Sequence, residues 1–292
     1  MHGSIRACAM AERGPRRAAW RRFLGSRLAL LCLAIISLLA LAAQFGPALS
    51  PHAPDELDWS ALASPPALGS SHWLGTDPLG RDLYVRTLAG MRVSLLIAVV
   101  ATVISVVIGV AWGATAGYVG GRVDAVMMRL VDILYALPYI FFVIVLTVLF
   151  GRSLVLLFVA IGAVGWLTMA RIVRGQALAL RRREFIEAAI ATGASTPRIL
   201  LRHVAPNVVG PVVVYASLIV PQMILFESFL SFLGLGVQEP LASLGSLVAE
   251  GAAGMQSAPW MLIVPAVTLV TLLVCCNFLG DSLRDALDPT ES

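Results

Sequence analysis

Three consecutive arginines at positions 181–183 run straight into "EFIEAAIATGAS", residues 184–195, where Glu184 and Glu187 stand among small side chains in a mostly apolar chain. A carboxylate bonded to arginine makes a shorter, stronger and more directional contact than a neutral pair. The chemistry offered here is recognition of a charged protein surface, and Glu187 is its best single candidate. A solvated helix glutamate is the plain alternative. The arginines also have two readings, as partners for acidic groups on another protein or as the topology signal that a membrane protein carries.

Other chemistries find no residues to carry them. All 21 basic residues are arginine, and a Walker A loop needs a lysine to reach nucleotide phosphates, so no ordinary P-loop ATPase site is expected. Cys8, Cys32, Cys275 and Cys276 form no C-x-x-C pair and read as small core or lipid-facing residues. His2, His52, His72 and His203 are scattered without zinc-ligand spacing, so no metal site is expected. H-E-x-x-H, G-x-S-x-G and intramembrane aspartate pairs are missing, which argues against a membrane-embedded enzyme. A secondary transporter would place paired ionisable residues at midplane or show inverted repeats; neither is found.

The elements that position this loop follow from composition. The 292 residues are 59% hydrophobic and 13% charged, against about a quarter charged in soluble domains, so the chain is an integral membrane protein. A helix needs about 20 apolar residues to cross the hydrocarbon core. Six runs meet or approach that length: 28–49, 93–118, 133–150, 153–170, 208–226 and 259–279. The first follows a basic stretch and also resembles a signal peptide. It is full-length with no clean cleavage site, so an uncleaved span is expected. Seventeen of the 21 arginines then fall on the side of both termini, which by the positive-inside rule is cytoplasmic. The net charge of +4 thereby needs no nucleic acid.

The expected organisation is a cytoplasmic tail 1–27, a first span 28–49, an extracytoplasmic loop 50–92, a core 93–280 containing the loop 181–207, and a cytoplasmic tail 281–292. Within that loop a small-faced helix ends at Gly193. A second helix starts at Ser195 or Thr196 with Pro197 in its first turn, and Pro206 ends it. Asp132 and Glu227 lie at the ends of spans three and five. Each is either functional or at a wet interface. Glu227 is expected to help order the turn "SFLGLG" that holds Gly234 and Gly236, so these three are candidates for the pathway or its gate. Pro138, Pro211, Pro221 and Pro265 should kink their spans.

"EAAIATGASTPRILLRHVAPN" resembles the EAA loop of the membrane subunits of binding-protein-dependent ABC importers, with Glu187, Ala188, Ala189, Gly193 and Pro206 at matching places and Ala205 where the pattern has leucine. "LGTDPLGRDLYVR", "GGRVDAVMMRLVDILYALP", "ARIVRGQALALRRREFIEAA", "ILFESFLSFLGLGVQEPLASLGSLVAEGA" and "NFLGDSLRDALDP" extend the likeness to the C-type permeases of oligopeptide and dipeptide importers. Leu244 departs from the tryptophan common there. The resemblance implies an all-α, six-span type I importer permease in a bacterial inner membrane. It also implies a homologous second permease, two ATPase subunits holding ATP and Mg, and an extracytoplasmic solute-binding protein. Glu187 and its neighbours, with Arg183, would contact the ATPase. Peptides are the implied cargo, with nickel complexes or another small solute as the alternative.

Overall fold

The computed structural model describes residues 22–67 and 69–287; the expected tails lie outside the described residues for 1–21 and 288–292. Among the described residues, after a short helical stretch at 22–25, the α-helices follow in order: α1 (Arg27–Leu49), α2 (Leu83–Val119), α3 (Gly121–Ala136), α4 (Tyr139–Phe150), α5 (Leu154–Arg181), α6 (Glu184–Ala191), α7 (Thr196–Ile199), α8 (Ala205–Phe232), α9 (Leu244–Ala253) and α10 (Trp260–Leu287). A π-helical turn, Leu200–Val204, joins α7 to α8. The only β pairing among the described residues is an isolated bridge between Thr76 and Asp82.

Among the described residues five helices are long and apolar enough to cross a membrane. α3 and α4 make a sixth span if counted as one, bent by 84° at the break between them. The break falls where Pro138 must: proline disfavours helical geometry in the residue before it, and Leu137 is extended at φ −76°, ψ 133°.

Local sequence fixes the starts. Asp82 Oδ1 accepts from Val85 N at 2.9 Å and Ser153 Oγ from Leu156 N at 3.1 Å, each satisfying an otherwise orphaned N-terminal donor. The Asp82 cap starts α2 well before its charge-free run, so residues 83–92, read from the sequence as the end of a loop, are helical.

Pro206 does not end the second piece of the loop, as the sequence suggested. The chain is helical from Thr196 to Phe232, because the wider π turn at 200–204 relieves the crowding that a proline ring imposes on the preceding turn. Pro211, Pro221 and Pro265 are likewise carried inside helices.

α2 and α5 run parallel and form the packed centre. Gly109, Gly113 and Gly117 face α5 so closely that an added methyl group would collide with Met169, Ala170 or Arg174. The main apolar core collects Met91, Ile97 and Ala101 from α2, Ile161 and Met169 from α5, Met223 and Ile224 from α8, and Leu272 from α10. A smaller cluster sets Val131 of α3 against Trp166, Leu167 and Ala170. The 50–82 segment lies at one end of this bundle, and α6 and α7 at the other.

Candidate functional site

At the α6 end, the loop is held by two apolar anchors, Ile186 and Ile199, both buried. Gly193 at φ +81° adopts the left-handed geometry that lets its N–H reach Ile190 O at 2.9 Å and Ala194 N reach Ala189 O at 3.0 Å. This paired closure is the Schellman motif. Around the anchors nearly everything faces out: Glu187, Ala188, Gly193, Pro206 and Arg183 are exposed and Ala189 is half-buried. Phe185 and Ile190 remain 42% and 53% exposed. The side chains of Glu184, Glu187, Arg182 and Arg183 have no hydrogen bond or ion pair among the described residues. Arg181 differs, donating to Val119 O at 3.2 Å; it closes the C-terminus of α2, where cations are favoured.

The opposite end contains a dense polar network. Asp77 is fully buried and saturated. Its Oδ1 accepts from Leu79 N and Arg81 N at 2.9 Å, and its Oδ2 from Arg81 Nε and Arg86 Nη1 at 2.6 Å. Arg86 also forks onto Glu250 of α9, at 2.8 and 3.2 Å, and Arg81 reaches Glu239 at 2.9 Å. One buried carboxylate thus ties the 50–82 segment to α2 and α9.

Beside it, His72 Nδ1 lies 2.9 Å from Asp82 and Nε2 3.2 Å from Asp58. A neutral imidazole has one N–H, so carboxylates on both nitrogens call for the charged form. Burial pulls the His72 pKa down, but the bonds to Asp82 and Asp58 outweigh it and the net shift is upward. Bonds from Ser60, with His72 adding to them, lower Asp58 to about 2. His52 stacks on His72 at 4.3 Å. Spacing in the sequence hid this meeting of His52, His72 and Asp82, whose donor atoms lie within 4.8 Å. Both nitrogens of His72 are already engaged by carboxylates there.

Glu227 is also fully buried. It accepts from Ser94 Oγ of α2 and Ser231 Oγ at 2.7 Å. Those hydroxyls in turn accept from Leu244 N at 3.1 Å and Val237 N at 3.3 Å. Glu227 therefore holds the start of α9 and the turn containing Gly234 and Gly236. Gly234 has φ +74°, and a methyl on Gly236 would collide with Ser231. None of these three lines a cavity of about 400 Å³ found between α3, α4, α5 and α8. Its walls are Leu134, Leu137, Tyr139, Trp166, Gln222 and Phe226 among others. Asp132 pairs with Arg171 at 2.9 Å.

Sequence reasoning passed over Asp77, Arg86, Glu250 and the Arg174–Asp124 pair. The visible signal for the first two was a cluster of acids and arginines in "TDPLGRDLYVR" beside an apolar span.

A bundle of membrane-length helices that presents an exposed helical loop between two of them is the architecture of a multi-pass membrane protein. Residues 106–291 match the family described as the binding-protein-dependent transport system inner membrane component, and residues 14–66 the N-terminal TM domain of oligopeptide transport permease C. The chain belongs to this family of binding-protein-dependent inner membrane components. It is 58% identical to the oligopeptide transport system permease protein OppC of Escherichia coli K12, over 94% of this chain and 90% of that one. The corresponding protein of Haemophilus influenzae is 50% identical, over 94% and 88%. The dipeptide transport system permease protein DppC of Bacillus subtilis is 44% identical, over 93% and 84%. A chain of the inward-facing MetNI methionine ABC transporter superposes with a TM-score of 0.56 at 20% identity, covering 70% of this chain and 96% of that one. The fold is that of a type I ABC importer permease.

Proposed function

We propose that this chain is one of two homologous permease subunits that together enclose a pathway for peptides, importing them with energy from ATP hydrolysis on partner subunits. A solute-binding protein delivers the cargo at the 50–82 end, which is extracytoplasmic. Two ATPase subunits holding ATP and Mg dock at the α6 end, which is cytoplasmic along with both termini, in the bacterial inner membrane. The observation that carries this reading is α6 itself. A rigid, anchored helix presents Phe185, Ile190 and the unpartnered Glu187 to solvent, which suits docking by a soluble protein with a basic group. The 17-to-4 arginine distribution in the sequence supports the same orientation. Glu227, Gly234 and Gly236 brace the outer mouth rather than touch cargo. Peptide as cargo rests on the names of the relatives.

The test is reconstitution of the complete complex in proteoliposomes with its binding protein. Uptake of labelled oligopeptide should require ATP on the ATPase side and the binding protein on the other. Stimulation and uptake with a nickel complex but not with peptide would replace the peptide reading by the small-solute one.

A further inference from the structure

α3 is joined to the rest of the protein at few points. It follows α2 through Gly120 and Gly121, at φ +70° and +59°, two successive left-handed residues that only glycine adopts readily. It ends at the 84° break before α4. Val131 is its one buried residue. Val131, Met128 and Leu134 rest on Trp112 and Trp166, Trp112 Nε1 donates to Met127 O at 3.2 Å, and two charge pairs add direction. Arg174 of α5 grips Asp124 through Nε and Nη2, at 2.5 and 2.6 Å, and Arg171 holds Asp132 at 2.9 Å while lying 4.2 Å over the Tyr135 ring. α5 in turn is closely packed on α2 and ends at Arg181, immediately before α6. The far end of α3 supplies Leu134, and the residue that follows it Leu137, to the cavity wall.

We infer that Arg174–Asp124 and Arg171–Asp132 are positioning pairs through which α5 carries α3, and with it that wall of the cavity, when α6 is pulled. This rests on the functional reading above. The planar fork of an arginine on a carboxylate sets direction as well as distance. α5 both carries α6 at its end and grips α3 by charge. For a helix hinged at glycines on one side and broken at proline on the other, the apolar patch around Val131 supplies contact, and the two charge pairs supply direction. Asp124 and Arg174 would thus couple the motor to the pathway without touching cargo.

The experiment uses the complete complex carrying Asp124→Asn, Arg174→Gln or the exchange Asp124→Arg with Arg174→Asp. Solute moved per ATP hydrolysed is measured beside membrane abundance. Each single variant should keep its abundance and its binding-protein-stimulated hydrolysis, yet move about tenfold less solute per ATP, within the usual range of coupling factors. The exchange should recover part of the ratio. A second arm needs no cargo. In a background lacking native cysteines, Leu137→Cys should change its thiol reactivity between nucleotide-free and nucleotide-trapped complex, and adding Asp124→Asn should abolish that change. A normal transport ratio in both single variants overturns the inference. So does parallel loss of uptake and hydrolysis with the nucleotide response of position 137 intact. A wild-type complex that moves no peptide would refute the cargo while the thiol arm still decides the coupling role.

Discussion

The two ends of the bundle use the same residue types in opposite ways. At the 50–82 end, Asp77, Arg81, Arg86 and Glu250 satisfy one another, and Asp77 is fully buried. At the α6 end, Glu184, Glu187, Arg182 and Arg183 are exposed and find no partner within the described residues. A charge spent inside the chain fixes the chain's own shape. A charge left open on a helix anchored by Ile186 and Ile199 is available to another protein. The first end should therefore fail through stability, and the second through assembly.

The largest effect is expected at Arg86. Removing one partner of a buried pair leaves an uncompensated charge and costs about 3–5 kcal/mol. Arg86→Ala would leave Asp77 with Arg81 and its backbone donors and Glu250 of α9 with only the 3.8 Å contact to Arg81, so the loss should fall at the lower end of that range. Thermal unfolding in detergent and the amount of protein in the membrane should both fall, with Arg86→Lys intermediate because it keeps the charge but loses the fork onto Glu250. Unchanged unfolding of Arg86→Ala would erase the contrast between the two ends.

Glu187→Ala should behave in the reverse manner. Its stability change should stay below about 0.5 kcal/mol, as for surface sites generally. Loss of one charge-assisted contact, about 1.5–3 kcal/mol, should weaken ATPase docking by roughly tenfold to a hundredfold and reduce uptake. Gly193→Val should do worse. No atom lies within 4 Å of an added methyl there, so the cost is not crowding in this chain. It is the left-handed backbone, which a β-branched residue resists, and the closing turn of α6 would reshape. Co-purification of the ATPase subunits measures both, and normal association of both variants would defeat the docking reading of the loop.

How much of this was legible follows from range. The spans, the α6 helix with its Gly193 stop and the Ser195 start are local patterns in apolar periodicity and turn chemistry, and they can be read along the chain. The break at Pro138 was legible as a kink, though not its size. The continuation through Pro206 was not, because a π turn relieves the proline and has no simple sequence signature. The Arg86–Glu250, Ser94–Glu227 and His72–Asp58 contacts join distant segments, and a single chain of letters does not say which acid meets which base. Glu227 was singled out as a carboxylate at the end of an apolar span, while its serine partners look like ordinary small residues of a membrane helix.

The smallest effect sharpens the internally satisfied end by pH. His72 has its pKa raised in the folded protein, so it contributes stability that is fully present below its unfolded value of about 6.5 and is lost as pH rises through the raised folded value. Asp58 has its pKa lowered to about 2. Its contribution is present above the unfolded value of about 3.9 and is lost as pH falls towards the folded one. Between these limits the imidazolium bridges both carboxylates, one of which caps α2. Unfolding midpoints of wild type and His72→Gln, compared from about pH 5 to about pH 9 across the ordinary histidine range, should differ most at the acid end. They should converge as the wild-type imidazole loses its proton. A difference of constant size over that interval would mean that His72 acts through its shape and not its charge, and that only the arginine network at this end is ionic.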